Sequence, residues 1–439
     1  MMGLQDLIIT PLYLISLILL GFWVRKFVPH NIKRYFIPAL IFKLLGAICL
    51  GLIYQFYYTG GDTFNYFLHG SRWIWKAFQE DPMLGLSILL EEGGERVYET
   101  YEYTQHIWYY KSKSSFFIVR LTAFFDLLTF HTYSATALFF AVFSFSGSWM
   151  LFDKLSSIYK QINRGHMAIA LLFIPSTIFW GSGILKDTIT YGSVCWLTWS
   201  LVNIIESGRH KWQSILIAIL ASWLIYKIKI YILICYLPLV LIWVYWKQIR
   251  VINSFGLKVI FIPVLGIVFM VVGYYTVDQV SSDNDRYSMD KVLKSAAITA
   301  YDIRYGWGAR SNGDGGYDIG LPDGTLVGTL RLMPAAINVS IFRPYLWEVK
   351  NPLMLLASLE SSLILVFFIW ASFRGGFFVI LKDPFLIFCL AFSILFAFAI
   401  GVSTFNFGTL MRYKIPMLPF MAFVLAAMFS ATKKYNRNS

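Results

Sequence analysis

Eleven apolar stretches, each close to the length of a bilayer-crossing helix, recur along the 439-residue chain. A helix needs roughly 20 apolar residues to cross a ~30 Å hydrocarbon core. The stretches are 7–24, 36–57, 132–152, 167–184, 188–205, 213–226, 230–246, 258–276, 352–372, 384–402 and 412–431. Some are short or interrupted. The run 213–226 ends in Lys227-Ile228-Lys229, and 167–184 is parted from 188–205 only by Gly181-Ser182-Gly183 and Lys186-Asp187. The expected fold is an all-α polytopic membrane protein with eleven transmembrane helices. Composition agrees, with 58% hydrophobic and 14% charged residues. That leaves too few polar groups to cover a soluble globule, which excludes a soluble enzyme, a disordered chain and a secreted disulfide scaffold.

The net charge of +13 would lie on exposed faces in a nucleic-acid binder. Here the cations gather in short loops between apolar runs: Arg25, Lys26, Lys33 and Arg34; Lys154, Lys160 and Arg164; Arg209 and Lys211; Lys247, Arg250 and Lys258; Arg374 and Lys382; Lys433, Lys434 and Arg437. Acids appear only at their edges, as Asp153, Glu206 and Asp383. With eleven spans all of these loops fall on one side, which the positive-inside trend assigns to the cytoplasm. The N-terminus is then outside and the C-terminus inside, and nucleic acid is not an expected partner. Met1 to Gln5 carries no cation, and Arg25 and Lys26 follow the first apolar run instead of preceding it. That order is the reverse of a cleavable signal peptide. Cys49, Cys195, Cys235 and Cys389 each lie inside an apolar run with no CxxC pair, as small packing residues do.

Two long loops remain for the outer side. The expected organisation is 1–57 as the first two helices, 58–131 as a first outer loop with interfacial helices, 132–276 as a helical bundle, 277–350 as a second outer loop, and 351–439 as C-terminal helices with a cytoplasmic tail. The loops carry most of the acids, many tyrosines and the turn Asn312-Gly313-Asp314-Gly315-Gly316. Loops held by a rigid scaffold are where function concentrates.

Five polar clusters sit at outer helix ends, where charges are costly and point to function. In Gly60-Gly61-Asp62, two glycines permit a sharp turn and leave Asp62 at the membrane surface. Asp62 can cap the next helix or act as a base, and the two roles are compatible. The stretch Pro175–Asp187 breaks a helix with small residues; Lys186 suits an anion at a helix N-terminus, snorkelling to the interface being its bland alternative, and Asp187 is a second acid. Lys227 and Lys229 violate the positive-inside trend, which a negatively charged ligand or lipid headgroup explains. In the stretch 341–352, Arg343 has the planar fork that grips phosphate or carboxylate, and Tyr345 and Trp347 suit the interface belt or a stacked sugar. Glu360 follows within the next span as a partner for a neighbouring helix's cation. Arg412 and Lys414 put further cations on the outer face, and Arg120 with Asp126 reads as a structural ion pair. The acids of the clusters are too few to neutralise all these cations, and buried cations are costly unless paired. A phosphate or pyrophosphate lipid headgroup completes the balance.

The order of these clusters resembles the bacterial membrane glycosyltransferases of the GT-C superfold, among them protein O-mannosyltransferases and lipopolysaccharide sugar transferases of the aminoarabinose and rhizobial types. Gly61, Asp62 and Tyr66 are similar to a Gly-Asp-x-x-x-Tyr after an early span. Residues 175–187 are similar to a Pro-Ser-x-x-Phe-Trp-x-Ser-Gly-x-x-Lys-acid turn. Arg412, Tyr413, Pro416 and Pro419 are similar to an Arg-Tyr-x-x-Pro-x-x-Pro opening of a late span. The resemblance implies a bacterial inner-membrane location, a polyprenyl-phosphate-linked sugar donor, a glycan, lipid or protein acceptor, and a catalytic carboxylate at Asp62. Tyr66 and Tyr413, at matched motif positions, are candidate substrate contacts; the clusters themselves, not the resemblance, add Lys186, Lys227, Lys229, Arg343, Tyr345, Trp347 and Arg412 as substrate contacts and Asp187 as a second candidate catalytic acid. No cofactor is required, and a divalent metal is compatible. The chain departs from the family pattern in its extra first span and in the isolation of Asp62, the next acid being Glu80.

Other classes fit some of these features. An O-antigen polymerase or ligase would use Arg286, Arg304, Arg310 and Arg331 of the second loop on a lipid-pyrophosphate. A transporter for lipid-linked sugars should carry charges deep in several spans, whereas here they are expected at outer ends. A structural subunit of an envelope complex would need no chemistry.

Overall fold

The computed structural model describes residues 2–207, 211–251, 298, 301, 315–320, 323 and 325–438. The expected span 258–276, most of the loop 277–350, and Arg286, Arg304 and Arg310 lie outside the described residues. Among the described residues there is no β-strand, only an isolated antiparallel bridge between Gly316 and Asn406. Six helices are long and apolar enough to cross a membrane, or up to seven if one bent pair counts as a span. The chain is thus an all-α, multi-pass membrane protein by length and composition of its helices. It divides into two compact units, Met1–Lys160 with Arg164–Ile230, and Gln161–Asn163 with Tyr231–Ser439.

The first unit begins with α1 (Leu4–Val24) and α2 (Lys33–Phe56). The connection to the next long helix holds α3 (Asp62–Tyr66), a π-helical turn Phe67–Ser71, α4 (Arg72–Glu80), α5 (Pro82–Leu90), α6 (Tyr101–Thr104) and α7 (Lys113–Thr129). Then follow α8 (Tyr133–Ile158), α9 (Arg164–Leu172), α10 (Pro175–Trp180), α11 (Lys186–Val202), a π-helical turn Asn203–Ser207, and α12 (Lys211–Val251). Helix α8 is the axis of the unit: 72% of its apolar window is buried in the protein, against 11% for α1, which leaves its apolar surface for lipid. Helices α2 and α11 pack on α8. The α8–α11 crossing is close because it is made by glycines. A Cβ on Gly147 would lie 2.4 Å from the Gly192 carbonyl oxygen, and one on Gly192 would lie 3.0 Å from Ser144 Cα. Small residues let membrane helices approach backbone to backbone in this way.

The two apolar runs 213–226 and 230–246 are not separated by a loop. Within α12 they are two helices that meet directly at a kink, where the backbone leaves helical geometry at Lys229 (φ −147°, ψ 74°). The run 167–184 is divided at Phe173–Ile174 into α9 and α10. The run 188–205 forms α11, of 17 residues, continued by the π-helical turn.

In the second unit, α13 (Leu326–Arg331) and α14 (Met333–Phe342) lead through a 3-10 turn, Leu346–Glu348, to α15 (Pro352–Phe373). Then come α16 (Phe377–Leu381), α17 (Pro384–Thr404), α18 (Phe407–Tyr413) and α19 (Leu418–Asn438). Helices α18 and α19 meet at 72°. Phe385, Phe388, Phe392 and Phe396 recur at helical spacing on α17; the first three pack on Tyr236, Trp243 and Phe420, and Phe396 stacks on Tyr231. Gly316 and Tyr317 dock at the end of α17, where the Tyr317 hydroxyl donates to Gly401 O at 2.9 Å.

Candidate functional site

In the first unit the candidate base is built by the exit from α2. Thr59, Gly60 and Gly61 have φ of 53°, 146° and 122°, a run of positive φ that only glycine adopts without strain at the last two positions. A Cβ on Gly61 would also meet the Tyr54 ring at 2.8 Å. The chain therefore reverses into α3 with Gly61 at the cap position and Asp62 in the first helical turn. Asp62 is half-buried, and its Oδ1 accepts a hydrogen bond from the Tyr109 hydroxyl at 3.0 Å. Asn65 Nδ2 donates to the same hydroxyl oxygen at 3.4 Å. The Tyr66 ring leans on the Tyr109 ring, with centroids 5.0 Å apart. Thr63 shares a 2.6 Å hydrogen bond with the hydroxyl of Tyr133, tying α3 to α8. Sequence reasoning missed Tyr109, which lies in the tyrosine-rich stretch without a motif of its own.

Two acids that follow Asp62 in the chain, Glu80 and Glu91, accept hydrogen bonds from tyrosine hydroxyls. Glu80 accepts from the Tyr103 hydroxyl, which pushes the Tyr103 phenol up to about 12. Glu91 accepts from Tyr110 at 2.5 Å and from Thr100 at 2.6 Å. Burial, then this hydrogen bond, hold the Tyr110 phenol above its usual range.

The turn 175–187 supplies the cation. Lys186 opens α11 and its Nζ donates to Ser114 Oγ at 2.9 Å. Adjacent residues on a helix point about 100° apart, and Asp187 accordingly turns inward, 0% exposed, into an ion pair with Lys229. Lys229 is the residue at which α12 leaves helical geometry. Lys227 diverges from it to an exposed pair with Glu92 at 2.9 Å. The hydrogen bond and charge of Lys227 hold the Glu92 carboxyl below its usual range. Lys227 and Lys229, expected to await an anionic ligand, thus each carry a carboxylate partner. The counter-charge came from Glu92, which lies outside the clusters read in the sequence.

The pairing of Arg120 with Asp126 is corrected. They are six positions apart on α7, which places them roughly 120° apart around the helix. Arg120 donates to Leu89 O at 3.3 Å. The Asp126 carboxylate accepts from His131 Nδ1 at 2.9 Å and from Thr136 Oγ1 at 2.7 Å.

A second correction concerns depth. The charged clusters were expected at outer helix ends, with Glu360 as the charge inside a span, yet Lys43 lies ten residues inside α2 and is 2% exposed. Its ammonium donates to Ser144 Oγ at 2.9 Å, Thr177 O at 2.7 Å and Gly181 O at 2.9 Å. It lies 4.5 Å from the centroid of the Tyr191 ring.

In the second unit Arg343 grips Glu348 with its fork, the Nε donating to both carboxylate oxygens at 3.0 Å and Nη2 donating to Oε1. Burial pushes the Glu348 carboxyl up, but the Arg343 hydrogen bonds and the Tyr345 N–H outweigh it, and the group ends below its usual range. Tyr345 stacks on Trp347 at 4.7 Å, and Trp347 is 81% exposed. Lys414, expected on the surface, is 1% exposed, donates to Ser361 Oγ at 3.0 Å and lies within electrostatic reach of Glu360. Arg412 and Tyr413 are half-buried in the last turn of α18, where the chain bends. Arg331 ends α13, exposed. Among the described residues no group of three or more His, Cys, Asp or Glu side chains is placed to hold a metal ion. Comparison of the chain with family models, with curated proteins and with solved structures gives no match.

Proposed function

We propose that the chain is an integral membrane glycosyltransferase that moves a sugar from a polyprenyl-phosphate-linked donor to a cell-envelope acceptor on the outer face of the bacterial inner membrane, with Asp62 as general base. In this reading the bundle is GT-C-like with eleven spans, N-terminus outside and C-terminus cytoplasmic. The observation that carries it lies in the short stretch 109–114. Its first residue, Tyr109, holds Asp62, and its last, Ser114, holds Lys186. A carboxylate and an ammonium are thus supported by one segment of chain within one compact unit.

That pairing suits glycosyl transfer. Asp62 takes the proton of the acceptor hydroxyl as its oxygen bonds to the anomeric carbon. The bond from that carbon to the phosphate oxygen breaks, and the phosphate leaves with the electron pair. Lys186 and the N–H groups opening α11 meet the charge that develops on it. Asp187 holds Lys229 behind them. Within the second unit, the exposed ring of Trp347, backed by Tyr345, offers a face for a sugar ring, and Arg412 with Tyr413 offers contacts for an anionic headgroup.

Asp62→Asn tests the reading in proteoliposomes supplied with an undecaprenyl-phosphate-linked labelled hexose and envelope glycan. Transfer should fall by about 10²–10⁴-fold while insertion and melting temperature stay at the wild-type values. Full transfer by this variant removes the assignment. A second reading, a carrier for lipid-linked sugars, is favoured by the deep charge of Lys43. It predicts movement of the labelled lipid across the vesicle membrane with its glycosyl–phosphate bond intact.

A further inference from the structure

We propose that Lys43 is a positioning residue, whose buried ammonium pins the Gly181–Gly183 turn and so sets where α11 presents Lys186 and Asp187. An ammonium has three donors and no acceptor. All three are used, on one hydroxyl and two carbonyls, and the Tyr191 ring covers the remaining side. Among the described residues no carboxylate is within ion-pair distance of it. Burying a charge without a counter-ion costs several kcal/mol unless its hydrogen bonds are complete, and an ionisable group inside a membrane helix points to a role.

That role follows from what the ammonium holds. Thr177 O and Gly181 O lie at the end of α10, where Thr177 O also accepts from the capping Gly181 N–H at 3.2 Å, so the ammonium binds the carbonyls that close the helix. The surface of α2 that carries Lys43 is shaped to the same segment. A Cβ on Gly46 would lie 2.2 Å from Ile178 O, and one on Gly183 would lie 2.6 Å from Leu50. Positions 43, 46 and 50 share one helix face. A Cβ on Gly181 would meet Thr177 O at 2.4 Å and Lys43 Nζ at 3.0 Å, so the turn packs closely against both the end of α10 and the ammonium. From Gly183 the chain passes directly into α11: Leu185 N donates to Gly183 O at 2.8 Å and Thr188 Oγ1 to the same oxygen at 2.7 Å. A turn that slides off Lys43 therefore carries the first turn of α11, and with it Lys186 and Asp187.

The test uses the full chain in nanodiscs, with Lys43→Met, Lys43→Arg and Ser144→Ala. Lys43→Met keeps the length of the side chain and removes the donors. Amide exchange in the segment 181–188 should rise about tenfold, as expected for loss of hydrogen bonds to a charged group, with exchange in α1 unchanged. Ser144→Ala removes one of three bonds and should give a smaller rise in the same segment. Unchanged exchange there in both variants overturns the proposal; if Lys43→Met does not fold, Ser144→Ala decides alone.

The ligand arm rests on the glycosyltransferase reading and uses undecaprenyl phosphate as probe. Its affinity should fall about tenfold in Lys43→Met at unchanged melting temperature, with partial rescue by Lys43→Arg. Faster exchange with unchanged affinity overturns the positioning role. A wild-type chain that does not bind the probe overturns the glycosyltransferase reading instead, and the exchange arm still decides whether Lys43 holds the turn.

Discussion

The Tyr109 hydroxyl donates to the Asp62 carboxylate across 3.0 Å, linking residues 47 positions apart. The bond helps to fix the direction of a side chain in the first turn of a five-residue helix. A base must lie within hydrogen-bond reach of the proton it takes, so Tyr109→Phe should lower transfer without unfolding the chain. One neutral-to-charged hydrogen bond contributes about 1.5–3 kcal/mol, a loss of about ten- to a hundredfold. Steady-state transfer rates beside thermal melting check this, and equal loss in both would mark Tyr109 as merely structural.

The Asp187–Lys229 pair is buried on both sides, whereas the Lys227–Glu92 pair, two residues away on α12, is exposed. Removing one partner of a buried pair leaves an uncompensated charge, at a cost of about 3–5 kcal/mol. Lys229→Met should therefore lower the melting temperature sharply, and Asp187→Leu combined with Lys229→Met should restore most of it. Lys227→Met should leave melting nearly unchanged, because solvent screens exposed pairs. Equal effects of the two lysine variants would contradict the burial contrast.

What could be read without the structure was what depends on local composition. The apolar runs 36–57, 352–372 and 384–402 became Lys33–Phe56, Pro352–Phe373 and Pro384–Thr404, because a long apolar run has one favourable state in lipid. The Gly60-Gly61 turn was legible for the same kind of reason, glycine being needed at positive φ. Side-chain partners were not. Lys229 meets Asp187 from 42 positions away, and Lys43 bonds to carbonyls that any residue could provide. Arg120 and Asp126 were close in sequence but on different helix faces. The division of 213–246 into two spans rested on the drop in hydropathy at Lys227 and Lys229. The two runs do part at Lys229, but by a kink in the backbone and with no loop, and Asp187 and Glu92 pair with the two lysines there.

Glu348 gives a pH dependence in the second unit. Its carboxyl is held below the usual range in the folded chain. A depressed folded value means that the Arg343 bond contributes its full stability above the unfolded carboxylate pKa, and that this contribution is lost as pH falls through the folded value. Melting temperature should fall as pH drops below the ordinary glutamate pKa of about 4.3. In Glu348→Gln that part of the fall should be absent, with lower stability at neutral pH. Arg343→Lys should not restore the wild type, since an ammonium lacks the fork that meets both oxygens. A Glu348→Gln profile parallel to the wild type would show that other acids govern the transition.

The α8–α11 crossing joins the scaffold to the turn. Ser144 on α8 and Tyr191 on α11 both meet Lys43, and they flank the point where Gly147 touches Gly192. A Cβ at 147 would stand 2.4 Å from the Gly192 carbonyl oxygen, so Gly147→Ala must push the helices apart. Overpacking of this kind costs about 1–3 kcal/mol. Separation of α8 from α11 also draws Ser144 and Tyr191 away from each other across the ammonium. Gly147→Ala should therefore lower the melting temperature and raise amide exchange in 181–188, although residue 147 touches neither Lys43 nor the turn. Gly3→Ala, at a position with nothing within 4 Å of the added Cβ, serves as the control and should change neither. Loss of stability in Gly147→Ala with unchanged exchange at 181–188 would show that the turn is held independently of the crossing.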